Sequence, residues 1–170
     1  TYHRSLSNCR VNTLDYIINR FQLPVTSSDA LPIEIPNVGR NNLAVLFNEL
    51  GFKKGVEIGV EAGLYSEVLC KEISGLELFS VDAWLAYENY REYVPQAKVD
   101  SIYAAAQERL RPYNAKLIKG LSMDVVKTFP DESLDFVFID GNHTYDFVLS
   151  DIKEWSRKVR PGGIVAGHDY

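Results

Sequence analysis

The sequence predicts an α/β fold, a Rossmann-like doubly wound parallel sheet, and three features of the chain carry this prediction. Strand and helix signals alternate five times after residue 40. Strand segments such as FVFI at 136–139 are apolar at successive positions, as expected of strands buried on both faces. Each predicted strand ends in glycine or polar residues, and the carboxyl edge of such a sheet is where ligands bind.

Hydrophobic periodicity gives the order of the elements. Residues 1–22 predict an amphipathic helix and the proline-containing stretch 23–40 predicts a connector, so we expect an N-terminal segment 1–40 and one α/β domain over 41–170. The remaining elements alternate along that domain. Helices are predicted at 41–51, 64–74, 95–110, 122–129 and 146–159, and strands at 55–60, 76–82, 115–120, 134–140 and 162–169.

The last predicted helix carries an apolar stripe. Its members recur at i, i+4, i+7 and i+11 and are expected to face the sheet: Val148, Ile152, Trp155 and Val159. Asp146 is then expected at the start of the helix and Asp151 on its solvent face.

Composition narrows the classes of partner. The formal net charge is −5 and no run of Lys and Arg occurs, which argues against nucleic acid or an anionic membrane surface. No apolar stretch approaches the roughly 20 residues that span a bilayer. Cys9 and Cys70 show no paired spacing. We therefore predict a cytoplasmic protein with a small-molecule partner, and homo-oligomerisation through the N-terminal helix stays open.

A glycine loop follows the first strand of the domain. Gly59 and Gly63 permit a sharp turn and a close ligand approach, and the helix beginning near Ala62 directs its N–H groups at that ligand. Asp82 ends the neighbouring strand, where a carboxylate can bind ribose hydroxyls. The alternative is that the glycines serve packing and Asp82 caps a loop. If these residues instead contact a ligand, their spacing predicts a nucleoside-containing cofactor.

Two acidic residues refine that prediction. Glu61 replaces the middle glycine of dinucleotide loops, and its carboxylate would repel a pyrophosphate, which ranks a nicotinamide or flavin cofactor lower. Glu57 lies where it could receive the amino group of an amino-acid-bearing cofactor.

The ends of the fourth and fifth strands predict a metal site. Adjacent parallel strands lie about 4.8 Å apart, so Asp140 can converge with His168 and Asp169. Two carboxylates and an imidazole suit Mg²⁺ or Mn²⁺. The alternative is that His168 and Asp169 pair with each other or with the backbone. His143 lies in the same loop and could accept a proton, since the reference pKa of a histidine side chain is near 6.5.

These motifs resemble those of class I S-adenosylmethionine-dependent methyltransferases. VEIGVEAG at 56–63 is similar to their first motif and FSVD at 79–82 to their acidic strand end. The stretch 134–170, with FIDGNHTY and RPGGIVAGHDY, resembles a subgroup related to macrolide-sugar O-methyltransferases. Such domains add two strands after the position of Tyr170, so we expect this chain to lack the last two strands of the sheet.

The resemblance implies roles for individual residues. Glu57, Gly59, Gly63 and Ser66 would surround the methionine part of the cofactor, with Asp140 also in the cofactor site. Asp82 would bind the ribose and Ser122 would lie near the adenine, although Ser122 could equally cap its helix. The resemblance also implies a metal at Asp140, His168 and Asp169, with His143 as general base.

The resulting prediction is metal-assisted methyl transfer from S-adenosylmethionine to a hydroxyl oxygen of a small acceptor. The tyrosine-rich stretch 84–106 is expected to form part of the acceptor wall. Three alternatives stay open: a nicotinamide oxidoreductase, a metal-dependent hydroxylase, and a non-catalytic nucleoside-binding module.

Overall fold

A computed structural model describes residues 12–24, 32–86 and 94–168 of the 170-residue chain. Predictions that concern Asp169, Tyr170 or residues 87–93 lie outside this range. Within it, no helix has the length and apolar character needed to cross a membrane.

The described elements follow the predicted alternation. The helices are α1 (Thr13–Phe21), α2 (Arg40–Glu49), α3 (Leu64–Glu72), α4 (Gln96–Leu110), α5 (Ser122–Val125) and α6 (Tyr145–Ser156), with a 3₁₀ turn at Val126–Thr128. The strands are β1 (Lys54–Ile58), β2 (Glu77–Asp82), β3 (Ala115–Lys119), β4 (Leu134–Ile139) and β5 (Val159–Gly167). α2 therefore begins at Arg40, the last residue of the predicted connector.

The five strands form one parallel sheet in the order β3-β2-β1-β4-β5. The chain starts at the centre and winds first toward β3, then crosses back to β4 and β5, so the strand order reverses between β1 and β4. This is the doubly wound topology that the sequence predicts, and ligands bind at such a reversal point.

Apolar side chains cover both faces of the sheet. On β4, Phe136 and Phe138 join the cluster beneath α2 and α3, while Val137 and Ile139 join the opposite cluster around Trp155. On β1, Val56 and Ile58 belong to the Trp155 side. Because successive side chains of a strand alternate, β1 directs the intervening residue Glu57 toward α3.

The α6 stripe differs from its prediction. Trp155 is fully buried, but Ile152 is 42% exposed and Val159 belongs to β5. Asp151 is only 4% exposed, so the prediction that it lies on the solvent face was wrong. The inward face runs i, i+3, i+7 through the half-buried Val148 and the buried Asp151 and Trp155, because Ser122 on α5 donates a hydrogen bond to the Asp151 carboxylate.

The chain divides by contacts into two compact units, Thr1–Val38 and Gly39–Tyr170. In the first unit, α1 begins after Asn12, whose side-chain oxygen accepts hydrogen bonds from the amides of Leu14 and Asp15 at 3.0 and 3.4 Å. The assignment of 41–170 as the cofactor-binding domain stays a prediction.

Candidate cofactor site

A cavity of about 500 Å³ opens at the carboxyl ends of β1 to β4. This volume lies within the roughly 300–1,000 Å³ of small-molecule sites. Its walls come from the start of α2, the loops after four strands, and α6. The lining residues are Arg40, Glu57, Ile58, Gly59, Val60, Glu61, Leu64, Tyr65, Val81, Asp82, Ala83, Gly120, Leu121, Ser122, Met123, Asp140, Gly141, Asn142, His143, Phe147 and Asp151.

The loop after β1 needs glycine at Gly59. Its φ is +85°, and a Cβ built there would lie 2.1 Å from the backbone oxygen of Asp140. The loop therefore passes directly against the end of β4. Gly63, at φ +75°, is the N-cap of α3, which begins at Leu64, the first residue of the predicted helix. Gly63 packs toward Leu110 and does not line the cavity.

Asp82 organises this loop from the neighbouring strand. Its Oδ2 accepts hydrogen bonds from the amides of Val60 and Glu61 at 2.8 and 2.9 Å, and its Oδ1 accepts one from the amide of Trp84 at 2.8 Å. The indole of Trp84 in turn donates to the carbonyl of Glu61 at 2.9 Å. Asp82 therefore caps the loop, as in the alternative stated above, and it also lines the cavity, so its ribose role stays a prediction.

Glu57 is buried at the base of the cavity, with 2% of its surface exposed. Ser66 on α3 donates a hydrogen bond to Glu57 Oε2 and lies 3.0 Å from the hydroxyl of Ser80. Burial raises the pKa of Glu57 to about 8, the hydrogen bond from Ser66 opposes the rise, and the negative charges of Asp140 and Asp82 add to it. Ser66 is thus behind Glu57 rather than on the cavity wall.

Glu57→Gln is expected to change how stability depends on pH. Because the folded-state pKa exceeds the ordinary value of 4.5, folding takes up a proton between these two values, and stability falls as pH rises toward 8. The variant lacks this loss. Between pH 5 and pH 8.5 its free energy of unfolding should gain on the wild type by about 4 kcal/mol. Urea unfolding at both pH values measures this, and a difference independent of pH would contradict the assignment.

Asp140 faces one arginine and two histidines. Its Oδ2 lies 3.7 Å from Arg40 Nη1, and its Oδ1 lies 3.6 Å from His168 Nδ1 and 4.0 Å from His143 Nε2. Arg40 is held by its neighbour Tyr65, whose hydroxyl donates to the Arg40 carbonyl at 2.7 Å and whose ring lies 5.3 Å beneath the guanidinium. The predicted base and one predicted metal ligand therefore meet at one carboxylate.

The predicted metal site is only partly described. Asp140 and His168 are adjacent, but Asp169 lies outside the described residues. Within 12–24, 32–86 and 94–168, no group of three or more His, Cys, Asp and Glu side chains is arranged to hold a metal ion. The described residues alone do not make a complete ligand set.

Ser122 joins α5 to α6 at the far end of the cavity. Its hydroxyl donates to Asp151 Oδ1 at 2.5 Å and accepts from Trp155 Nε1 at 2.7 Å. The alternative that Ser122 caps its helix was wrong, because the N-cap is Leu121 and no side chain caps that end. Burial raises the pKa of Asp151, while the hydrogen bond from Ser122 lowers it.

Two charged lining residues, Arg40 and Asp151, had no predicted role in the site. Arg40 follows a loop without apolar periodicity, and nothing in the sequence shows that α2 starts at the cavity. For Asp151 a signal existed: the spacing Asp151 to Trp155 is i, i+4, which places both on one helix face.

The cavity has an acidic character. Among the described lining residues, the carboxyl groups are those of Glu57, Glu61, Asp82, Asp140 and Asp151, against the guanidinium of Arg40. Such a lining favours a ligand with positive charge and many hydrogen-bond donors, and it disfavours a pyrophosphate. Fold and cavity together define an α/β protein with a small-molecule-sized cavity at the strand-order reversal.

Comparisons with known proteins give the family. A family described as Methyltransferase domain matches residues 56–170, and the chain belongs to it. A Mycobacterium avium (strain 104) protein, named as a candidate O-methyltransferase, is 31% identical over 128 residues, covering 74% of this chain and 52% of that protein. An uncharacterised Sinorhizobium fredii protein, y4gI, is 26% identical over 128 residues. The match covers 73% of this chain but only 14% of the Sinorhizobium protein.

Solved structures show the same fold. An O-methyltransferase from Bacillus cereus in complex with SAH superposes with a TM-score of 0.57 at 20% identity, covering 91% of this chain and 64% of that one. The O-methyltransferase TomG from Streptomyces achromogenes, involved in tomaymycin synthesis, was solved in complex with SAM. It superposes with a TM-score of 0.56 at 18% identity, covering 88% of this chain and 60% of that one. The chain thus spans about half of its Mycobacterium relative and under two thirds of these structures.

The class-level predictions are confirmed: the α/β fold, the parallel sheet and the methyltransferase family. The oxidoreductase, hydroxylase and non-catalytic alternatives are not favoured. Cytoplasmic location, a small hydroxylated acceptor, the absence of nucleic-acid and membrane partners, and homo-oligomerisation stay predictions.

Proposed function

We propose that this chain carries the cofactor site of an O-methyltransferase that transfers a methyl group from S-adenosylmethionine to a hydroxyl oxygen of a small acceptor. The acidic cavity beside the Gly59 loop is the observation that carries the proposal. Membership of the methyltransferase-domain family supports it, and so do the SAH- and SAM-bound neighbours. A sugar acceptor, as in the macrolide-sugar subgroup, is the narrower form of the proposal.

The charges of the cavity match those of the proposed cofactor. S-adenosylmethionine supplies an electrophilic methyl group on a sulfonium and also carries an ammonium and a carboxylate. Asp140 would face the positive groups, and Glu57 would accept a hydrogen bond from the ammonium. Arg40 would bind the carboxylate of the cofactor and give up its contact with Asp140. Asp82 would bind the ribose with the lone pairs that the loop amides leave over.

His143 would act as the general base. Its side chain is 41% exposed at the cavity wall, and its Nε2 lies 4.0 Å from Asp140 Oδ1. The acceptor hydroxyl would transfer its proton to the imidazole as its oxygen bonds the methyl carbon and the carbon–sulfur bond breaks. Asp140 would stabilise the imidazolium that forms.

Metal assistance is a separate part of the proposal. Asp140 and His168 would supply two ligands and Asp169 a third, and Mg²⁺ or Mn²⁺ there would lower the pKa of the acceptor hydroxyl. Arg40 already places a positive charge 3.7 Å from Asp140, so a dication would share that carboxylate with a guanidinium. Full activity after EDTA treatment would remove the metal from the proposal and leave His143 and Arg40 in place.

The test combines binding with turnover. Calorimetric titration of the purified protein with S-adenosylhomocysteine should give micromolar binding. With S-adenosylmethionine and a panel of phenols and hydroxylated sugars, release of S-adenosylhomocysteine measures transfer. His143→Ala is expected to lower kcat by about 100-fold or more with little change in S-adenosylhomocysteine affinity.

Tyr145→Phe is the matched control, because Tyr145 is 76% exposed two residues beyond His143. It should retain wild-type turnover. Near wild-type turnover in His143→Ala would remove the base assignment. A folded protein that binds no S-adenosylhomocysteine would overturn the proposed function itself.

A further inference from the structure

Asp151 is a buried carboxylate that borders the cavity. It belongs to α6, is 4% exposed, and lies where α6 contacts α5. Its Oδ1 accepts the hydrogen bond from Ser122, whose oxygen is in turn held by the Trp155 indole. The Ser122 hydroxyl therefore donates its only proton to Asp151, and these hydrogen bonds fix the orientation of the Ser122 and Asp151 side chains.

The second oxygen of Asp151 faces a different environment. Within the described parts of the chain, Oδ2 makes no hydrogen bond, and no Lys, Arg or His side chain forms an ion pair with this carboxylate. In the same range, no fully buried side-chain oxygen lacks a hydrogen-bond partner. Oδ2 must therefore be accessible, and since the residue lines the cavity, it opens into it. An accessible carboxylate oxygen in a cavity wall takes its hydrogen bonds from water or from the donors of a bound ligand.

The surroundings of Asp151 suit a flat, apolar ring. Met123, Leu121 and Phe147 line the same end of the cavity, and the last two are 46% and 53% exposed. Large apolar side chains so exposed within a cavity gain from being covered by a ligand. Glu57 and Asp140, by contrast, lie at the ends of the central strands. A ligand bound there by its charged groups would direct its other end toward Asp151.

We propose that Asp151 selects the base of the nucleoside cofactor, with Oδ2 accepting a hydrogen bond from the exocyclic amino group of a 6-aminopurine. A 6-oxopurine would present an acceptor oxygen to a carboxylate oxygen, so the cavity rejects it. Ser122 acts as a positioning residue through its hydrogen bond to Oδ1. The inference rests on the proposed function and adds to it a residue that determines base specificity.

The experiment compares two ligands that differ at one position of the base. S-adenosylhomocysteine and its 6-oxo analogue S-inosylhomocysteine are titrated calorimetrically into the wild type and Asp151→Asn. The wild type should bind the amino form at least about tenfold more tightly. The asparagine amide can donate to the oxo group, so the ratio in the variant should fall to about one or invert.

Asp146→Asn is the matched control, an exposed carboxylate in the first turn of the same helix. It should keep the wild-type ratio. A role of Asp151 limited to holding Ser122 would weaken both ligands equally and leave the ratio unchanged, which would overturn the inference. Equal affinities in the wild type would overturn it without any variant. Failure of the folded wild type to bind either ligand would instead remove the proposed function, and this inference with it.

Discussion

Gly59→Ala is expected to lower the free energy of unfolding by about 4 kcal/mol and to weaken S-adenosylhomocysteine binding at least 100-fold. The left-handed φ of +85° costs an alanine about 1–2 kcal/mol. The larger cost is steric, because the new Cβ would lie 2.1 Å from the Asp140 backbone oxygen and 2.7 Å from the Gly141 Cα. Backbone atoms cannot rotate away, so the loop and the end of β4 must separate.

Gly51→Ala isolates the conformational part of that cost. Gly51 has a comparable φ of +71°, and nothing lies within 4 Å of its added Cβ. This control should lose about 1 kcal/mol and retain full binding. Urea unfolding and calorimetry measure both variants. Equal losses in the two would show that the loop does not pass against Asp140 as described.

Asp82→Ala is expected to lower the free energy of unfolding by about 3 kcal/mol and to abolish measurable S-adenosylhomocysteine binding. Three backbone amides, those of Val60, Glu61 and Trp84, would lose their carboxylate acceptor. Hydrogen bonds to charged groups contribute roughly 1.5–3 kcal/mol each, and water entering the site would recover part of this. Binding would fail because the loop loses its shape as well as its ribose ligand.

Two further variants separate these roles. Asp82→Asn retains one carbonyl oxygen for the loop amides and should recover about half of the lost stability. Asp124→Ala removes an exposed carboxylate paired with Lys127 and should change stability by less than about 0.5 kcal/mol. If Asp82→Ala abolished binding at unchanged stability, its carboxylate would serve the ligand alone.

The fold followed from the sequence because its signals are local and repeated. Apolar runs such as 136–139 specify strands buried on both faces, and the alternation with helices leaves the doubly wound sheet as the favoured topology. The carboxyl edge of that sheet then predicted the position of Glu57, Asp82, Asp140 and His143, which all line the cavity. The positions of these four residues follow from the course of the backbone, because each lies near the carboxyl end of a strand.

The remaining site residues depend on contacts that no local pattern encodes. Asp151 is buried because Ser122, 29 residues away in the chain, donates a hydrogen bond to it. The predicted stripe was based on hydrophobicity alone, so it included Ile152 and left Asp151 on the solvent face. Arg40 reaches Asp140 across 100 residues of chain. Ser66 was predicted to contact a ligand, but its side chain is fully buried and donates its hydrogen bond to Glu57.

The two tryptophans of the chain give the cavity a built-in optical readout. Trp84 is hydrogen-bonded to the Glu61 carbonyl beside the glycine loop, and Trp155 to the Ser122 hydroxyl at the opposite end. Both indoles are buried, at 2% and 0% exposure, so each emits from an environment set by one end of the site. Single Trp→Phe variants would make intrinsic fluorescence report separately on the two ends, without a label on protein or ligand.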